Sequence, residues 1–356
     1  MDFKRILITG GAGFVGSNLA VKIRQYFPGI EIYAVDNLKR RGSELNLARL
    51  HKLDISFIHG DIRCKEDIDE WPGFDLLIDC SAEPSVHAGI DSSPAGVICT
   101  NLIGTINCAE AARKNNAAFL FLSTSRVYPF QTINKLEITE EKTRFKWAAR
   151  MDLPGFSQEG IAEKFPLCGP RSVYGATKLA AEILLQEYVY NYDMPVIIDR
   201  CSILAGPWQM GKVDQGVITH WTARHISKKP LKYIGYGGSG KQVRDLLHID
   251  DFFNLIIKQL ENLKTWDGRV YNVGGGAGIS CSLLELTQIC QEITGNNIAV
   301  NKIEKTPKVD LRIYITDISK TQKDFNWAPQ KNVKTIVQDI YSWATDNMES
   351  LEFILK

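Results

Sequence analysis

Hydrophobic positions in the first half of the chain fall into short runs set between longer amphipathic stretches. Residues 5–9, 31–36, 56–59, 76–80, 119–123 and 196–201 are apolar runs of strand length. Residues 13–26, 95–114 and 174–192 are longer and carry helical spacing. Short apolar strands alternating with helices predict an α/β fold: a parallel sheet covered on both faces. The pattern changes at Gly206 and Pro207, after which glycine-rich turns (235–240 and 274–278) separate short mixed elements. The expected division is therefore a first domain over 1–205 and a smaller, mixed α/β substrate-binding part over 206–356, with part of 240–275 returning to the first domain. Residues 130–170 are longer and more polar than a simple strand-to-helix link, and loops of that length in compact domains are often functional.

The turn between the first strand and the first helix carries Gly10, Gly13 and Gly16. The first permits a tight turn, the second a close approach of backbone to a pyrophosphate, and the third close packing of helix on strand. The helix then opens with Phe14 and Val15, and its free N–H groups favour phosphate. Asp36 ends the next strand, where a carboxylate meets adenosine ribose hydroxyls and repels a 2′-phosphate. That favours NAD over NADP, with Lys39, Arg40 and Arg41 close by as the opposing signal. Asn37 follows Asp36, and Asp61 and Ile62 follow the third strand, at the adenine end. These features make the expected fold a Rossmann-type doubly wound sheet.

Bulk properties narrow the field. A chain of 356 residues with 44% hydrophobic and 23% charged residues has the balance of a globular enzyme. A net charge of +1 gives no electrostatic basis for binding nucleic acid or an acidic membrane surface. No apolar run approaches the roughly 20 residues of a membrane span, and no signal peptide is visible, so a cytoplasmic location is expected. The eight cysteines form no CxxC and no zinc-like spacing, so they read as reduced and packed, with no metal expected.

Tyr174 and Lys178 are four residues apart, one turn along a single helix face. An ammonium beside a phenol favours the phenolate, which suits the tyrosine to proton exchange near neutral pH.

Together these residues resemble the extended short-chain dehydrogenase/reductase family, the nucleotide-sugar epimerases and dehydratases, over nearly the whole chain. The resemblance rests on the glycine turn, Asp36 to Leu38, Gly60 to Ile62, Asn101 to Thr105, Ser123 to Tyr128, Tyr174 to Lys178, Val243 to Asp245, and Arg312 before Asp317. It implies Thr124, Tyr174 and Lys178 as the catalytic set. Thr124 would orient the reacting sugar oxygen, Tyr174 would act as acid and base, and Lys178 would hold the nicotinamide ribose. It implies a tightly bound NAD, regenerated each turnover, with Ser81, Ala82, Asn101, Ser123 and Cys201 added to the residues that hold it. The family's dehydratases carry an Asp-Glu pair just after the Thr; here Ser125 and Arg126 stand there, which disfavours elimination of water. What remains is epimerisation through transient oxidation to a keto-sugar, with C2 the implied carbon. A 4-epimerase of UDP-hexoses, a keto-sugar reductase and a non-catalytic NAD-sensing protein are the alternatives. Glu83, Thr124, Ser125, Gln215, Arg244 and Arg312 are the implied contacts to a CDP- or UDP-linked sugar, with Lys212 beside Gln215. Glu83 stands where the family carries small or apolar residues. Helices over 95–114 and 174–192 are the implied homodimer surface.

Overall fold

The computed structural model describes residues 3–148, 153–211 and 215–355. The chain forms two compact units. The first comprises Met1–Val127, Ser172–Arg200 and Phe253–Tyr271; the second comprises Tyr128–Arg171, Cys201–Phe252 and Asn272–Lys356.

The first unit is built on a seven-stranded sheet of β1 (Arg5–Thr9), β2 (Glu31–Asp36), β3 (Ser56–His59), β4 (Leu76–Asp79), β5 (Ala118–Thr124), β6 (Val196–Cys201) and β7 (Asp267–Val273). Their order is β7-β6-β5-β4-β1-β2-β3. Pairing runs parallel from β3 to β5, with Thr9 opposite both Val35 and Asp79, and Asp79 opposite Phe121. Every residue of β4, β5 and β6 is buried, which explains why these strands read as continuous apolar runs rather than as alternation. The chain moves outward from β1 through β2 to β3, then returns to β4 on the other side of β1. That reversal opens a crevice at the carboxyl ends of β1 and β4.

Helix α1 (Phe14–Tyr26) follows β1. The single helix expected over 95–114 is α2 (Ala95–Ile98), a wide π turn (Cys99–Gly104) and α3 (Thr105–Lys114). The π turn ends on a glycine because a Cβ on Gly104 would lie 2.5 Å from Ile62 Cδ1. Helix α4 (Val173–Tyr192) buries Ala181 and Leu185 against Phe119, Phe121 and Ile198 in the main apolar core of this unit.

The second unit centres on Val243–His248, which pairs with Ile203–Ala205, Ser280–Ser282 and Ile313–Tyr314. Helices Val217–Ile226, Leu283–Thr294 and Val333–Asp346 pack against one another. The units divide the chain differently from a cut at 205/206. Residues 128–171 lie in the second unit, as two hairpins: Ile138–Glu140 with Phe145–Trp147, and Phe156–Ser157 with Gly160–Ile161. The physical reason is in their bonds. Arg144 grips Glu285 with Nε at 2.8 Å and Nη2 at 2.5 Å, Thr143 donates to Glu285 at 2.7 Å, and Tyr128 donates to Asn272 at 2.8 Å. No helix among the described residues is long and apolar enough to cross a membrane.

Candidate active site

The glycine turn is tight because nothing else fits. Gly10 adopts φ 61°, and a Cβ on it would lie 2.8 Å from the Cys80 carbonyl oxygen. A Cβ on Gly16 would collide with the Gly10 carbonyl, so the third glycine lets α1 rest directly on the turn. Gly13 caps α1 with no side-chain partner, leaving the first-turn N–H groups of Phe14 and Val15 directed outward. Asp36 braces this turn: it accepts from Ala12 N–H at 3.2 Å and Leu38 N–H at 2.8 Å. Burial pushes its carboxyl up from the ordinary value, against the pull of those N–H donors. Asn37 donates to Asp61 at 2.9 Å, and Arg63 pairs with the same carboxylate at 2.5 Å. The Arg63 bond holds the Asp61 carboxyl well below its usual range. Ile62 is buried beneath, its carbonyl accepting from Asn107 at 2.9 Å. A cradle that any Cβ would fill, a helix N-terminus and a braced acid at the end of β2 fit the diphosphate and adenosine of NAD.

At the other side of the crevice, Ser81 donates through its hydroxyl to Asp79 at 2.6 Å and through its backbone N–H at 3.1 Å. Ala82 and Glu83 follow. Asn101, at the centre of the π turn, is fully buried, and its amide clamps Glu83 from both sides. Asn101 Oδ1 accepts from Glu83 N–H at 2.7 Å, and its Nδ2 donates to the Glu83 carbonyl at 3.0 Å. Asn101 thus fixes the loop that carries Glu83, where a direct cofactor contact was expected of it.

Thr124 ends β5, and its Oγ1 accepts from Arg126 N–H at 3.2 Å. Ser125 opens the short helical turn Ser125–Val127. Helix α4 starts on Ser172, whose hydroxyl accepts from Gly175 N–H at 3.2 Å. Gly175 lies so close to the Arg126 carbonyl that a Cβ there would overlap it. The first turn of α4, with Tyr174, is therefore pressed against the exit of β5, with Thr124. One turn on, Lys178 donates to the Leu122 carbonyl at 2.9 Å and stands 4.5 Å from the centre of the Phe121 ring. Tyr174, Lys178 and Glu182 occupy successive turns of one face, and all three are buried. Glu182 is held by Arg200 at 2.6 Å and receives the Ser123 hydroxyl, so Ser123 serves this buried pair. Cys201, at the end of β6, is buried.

The structure thus brings Gly10, Gly13, Phe14, Val15, Gly16, Asp36, Asn37, Asp61, Ile62, Ser81, Ala82, Glu83, Asn101, Ser123, Thr124, Ser125, Tyr174 and Lys178 into the first unit, while Cys201, Gln215, Arg244 and Arg312 belong to the second. Arg244 spends its guanidinium on Asp310 at 2.8 Å and on the Val243 and Leu311 carbonyls, each at 2.7 Å. Arg312 is exposed, 5.8 Å from the centre of the Tyr236 ring. Among the described residues neither amide atom of Gln215 has a hydrogen-bond partner; Lys212 lies outside those residues.

Three participants escaped the sequence reading: Asp79, Glu182 and Arg200. The signal for each was a charge inside an apolar pattern, Asp79 in Leu-Leu-Ile-Asp-Cys and Arg200 at the end of Val-Ile-Ile-Asp-Arg, with Glu182 four residues beyond Lys178. No group of three metal-ligating side chains occurs among the described residues.

The sequence profile of the NAD dependent epimerase/dehydratase family matches residues 6–274. The CDP-paratose 2-epimerase of Salmonella typhi is 30% identical over 349 residues, covering 96% of this chain and 99% of that one. The solved structure of Pal from Bacillus thuringiensis superposes with a TM-score of 0.80 at 26% identity, covering 96% of this chain and 99% of that one. A UDP-glucuronic acid 4-epimerase from Bacillus cereus, solved with UDP-glucuronic acid and NAD, gives 0.77 at 23% identity, covering 96% and 99%.

Proposed function

The chain belongs to the NAD dependent epimerase/dehydratase family, and on that premise we propose that it inverts one sugar carbon of a nucleoside-diphosphate sugar, C2 of a CDP-linked sugar in the manner of CDP-paratose 2-epimerase. It is an NAD-dependent nucleotide-sugar epimerase by class. The observation that supports epimerisation over dehydration is the seating of α4 on the end of β5. It sets Tyr174 beside Thr124 while Ser125 and Arg126, neither an acid, follow Thr124.

NAD, when bound, supplies a reversible hydride acceptor. The chain's own residues do the rest. Thr124 Oγ1 orients the reacting hydroxyl. Tyr174 takes its proton as the carbon is oxidised and returns it after the sugar has presented its other face. Lys178 places positive charge beside the ionised phenol. The absence of carboxylates at 125 and 126 leaves no group to pull off a neighbouring proton and expel water, which supports epimerisation over dehydration. Gln215 and Arg312 are the candidates for sugar and diphosphate; Arg244 joins them only by leaving Asp310. We also read the chain as a cytoplasmic homodimer, supported by the exposed Ile98, Ile103, Ile183 and Leu184 on the helices over 95–114 and 174–192. The reading carries with it a place in the synthesis of surface-polysaccharide sugars.

The test is a screen of CDP- and UDP-linked sugars for epimer formation without added cofactor, run in deuterated water. The expected result is inversion of a CDP-sugar with no deuterium at the inverted carbon. Stoichiometric deuterium there would replace hydride return by enolisation, and inversion of UDP-hexoses alone would move the reaction to C4.

A further inference from the structure

Asp79 is fully buried at the carboxyl end of β4 and accepts four hydrogen bonds. They come from Thr9 Oγ1 at 2.7 Å, Ser81 Oγ at 2.6 Å, Ser81 N–H at 3.1 Å and Thr105 Oγ1 at 2.9 Å. All four donors are neutral. They tie together the ends of β1 and β4 and the start of α3, at the point where the strand order reverses. They satisfy the carboxyl oxygens without bringing a counter-charge.

The register of β4 on β5 leads from Asp79 to Lys178. Asp79 pairs in register with Phe121 on the neighbouring strand, and residues paired in this way project from the same face of a sheet. The Lys178 ammonium stands 4.5 Å from the centre of that Phe121 ring. Asp79 and Lys178 are thus linked through one residue, Phe121, the register partner of the first and the ring beside the second. Two buried thiols, Cys80 and Cys108, lie within reach of both groups. Burial raises each first, Asp79 raises it further, and Lys178 opposes.

The other groups around Lys178 do not replace this partner. Tyr174 and Glu182 lie on its own helix, Arg200 comes from β6, Cys80 follows β4, and Cys108 comes from α3. Glu182 is met at contact by Arg200, with Nε at 3.0 Å and Nη2 at 2.6 Å, so its charge is compensated where it stands. Among the described residues the hydrogen bonds of Asp79 come from neutral groups.

We propose that Asp79 is a positioning residue whose negative charge raises the proton affinity of Lys178 and Tyr174 together, so that Lys178 stays an ammonium and its pull on the phenol is partly offset. The proposal rests on the reading of Tyr174 as the acid/base group. Its sign is unambiguous. Deleting a negative charge lowers the proton affinity of every group that feels it, so Lys178 and Tyr174 move together, to lower pH.

The experiment needs no substrate. The near-ultraviolet phenolate absorbance of the holoenzyme is titrated, and the Tyr174→Phe variant is subtracted to isolate Tyr174. In Asp79→Asn the Tyr174 midpoint falls by about one pH unit, the size expected for a unit charge a few side chains away at intermediate dielectric. In Thr105→Val, which removes a donor and keeps the charge, the midpoint stays nearly in place. If Asp79→Asn does not fold, Asp79→Thr, neutral and of similar shape, carries the same test. A Tyr174 midpoint that is present but unmoved in the neutral variant overturns the proposal alone. A Tyr174→Phe titration identical to that of the parent removes the acid/base reading, and the proposal with it.

Discussion

Asp79 in the first unit and Asp245 in the second are both fully buried and both ringed by hydroxyls and peptide N–H groups. Asp245 accepts from Ser202 Oγ at 2.6 Å and Gly275 N–H at 3.0 Å. A Cβ on Gly274 would overlap its carboxylate, so that glycine is there to let the turn wrap an acid. The difference lies in the company beyond the donors. Asp79 is paired in register with Phe121, whose ring centre lies 4.5 Å from the Lys178 ammonium. The cation next to Asp245 in sequence, Arg244, binds Asp310 instead, at 2.8 Å. On the proposal above, similar donor sets serve two ends: one acid supports the ammonium beside Tyr174, and the other holds a sheet and a turn together.

The largest test of that contrast is the loss of the phenol that the first unit's charges serve. Tyr174→Phe should cut turnover about a thousandfold while the protein keeps its NAD and its unfolding midpoint. Turnover within a few-fold of the parent would remove the first unit's claim to be the chemical half.

Breaking the buried pair beneath it should instead be felt in stability. Arg200→Met leaves the Glu182 carboxylate buried with Ser123 as its partner, and urea unfolding should show a loss of about 3–5 kcal/mol. The double variant Glu182→Gln with Arg200→Met should recover much of that loss, because no uncompensated charge then remains.

The second unit should be sensitive to pH through Asp245. Burial pushes its carboxyl up to about 6, against the hydrogen bonds of Ser202 and the 275–276 turn. A carboxyl raised by folding binds its proton more tightly in the native state, so the native state is favoured below the ordinary aspartate range and disfavoured as pH rises through about 6. From the ordinary 3.8 to about 6, this one group should withdraw about 3 kcal/mol of stability. Denaturant unfolding at pH values on either side of this window should show the fall, and Asp245→Asn should flatten it. An equal slope in Asp245→Asn would assign it to other groups.

These effects differ in how far the sequence announced them. The glycine turn, Asp36 and the Tyr174–Lys178 spacing were legible because each is a short-range pattern: strand, turn, helix, one helical period. The strands were legible for a related reason, being buried on both faces and so apolar throughout. Residues 128–171 were not, because what places them in the second unit is contact at long range, such as Arg144 with Glu285. Asp79 was hidden in plain view. Its strand reads as apolar, and only the register with Phe121 gives its charge a destination. Asn101 was expected at the cofactor, and its clamp on the backbone of Glu83 could not be read from the sequence.

The smallest effect separates the units most cleanly, because each has a serine doing the same local work. Ser172 caps α4 by accepting from Gly175 N–H at 3.2 Å, and Ser282 caps Leu283–Thr294 by accepting from Glu285 N–H at 3.0 Å. In the second case Glu285 returns the bond to Ser282 N–H, completing a capping box. Replacing either serine by alanine should cost about 1 kcal/mol in denaturant unfolding. The consequences for turnover should part. Ser282 holds a helix and accepts no role in proton transfer, so Ser282→Ala should leave the rate within about twofold. Ser172 fixes the turn that contains Tyr174 and presses Gly175 onto the Arg126 carbonyl. Loosening it shifts the phenol relative to Thr124, and small misplacements of a catalytic group cost far more in rate than in stability. Ser172→Ala should therefore slow turnover about tenfold or more at the same stability cost. Equal rates in the two variants would mean that the seating of α4 on β5 does not depend on its cap.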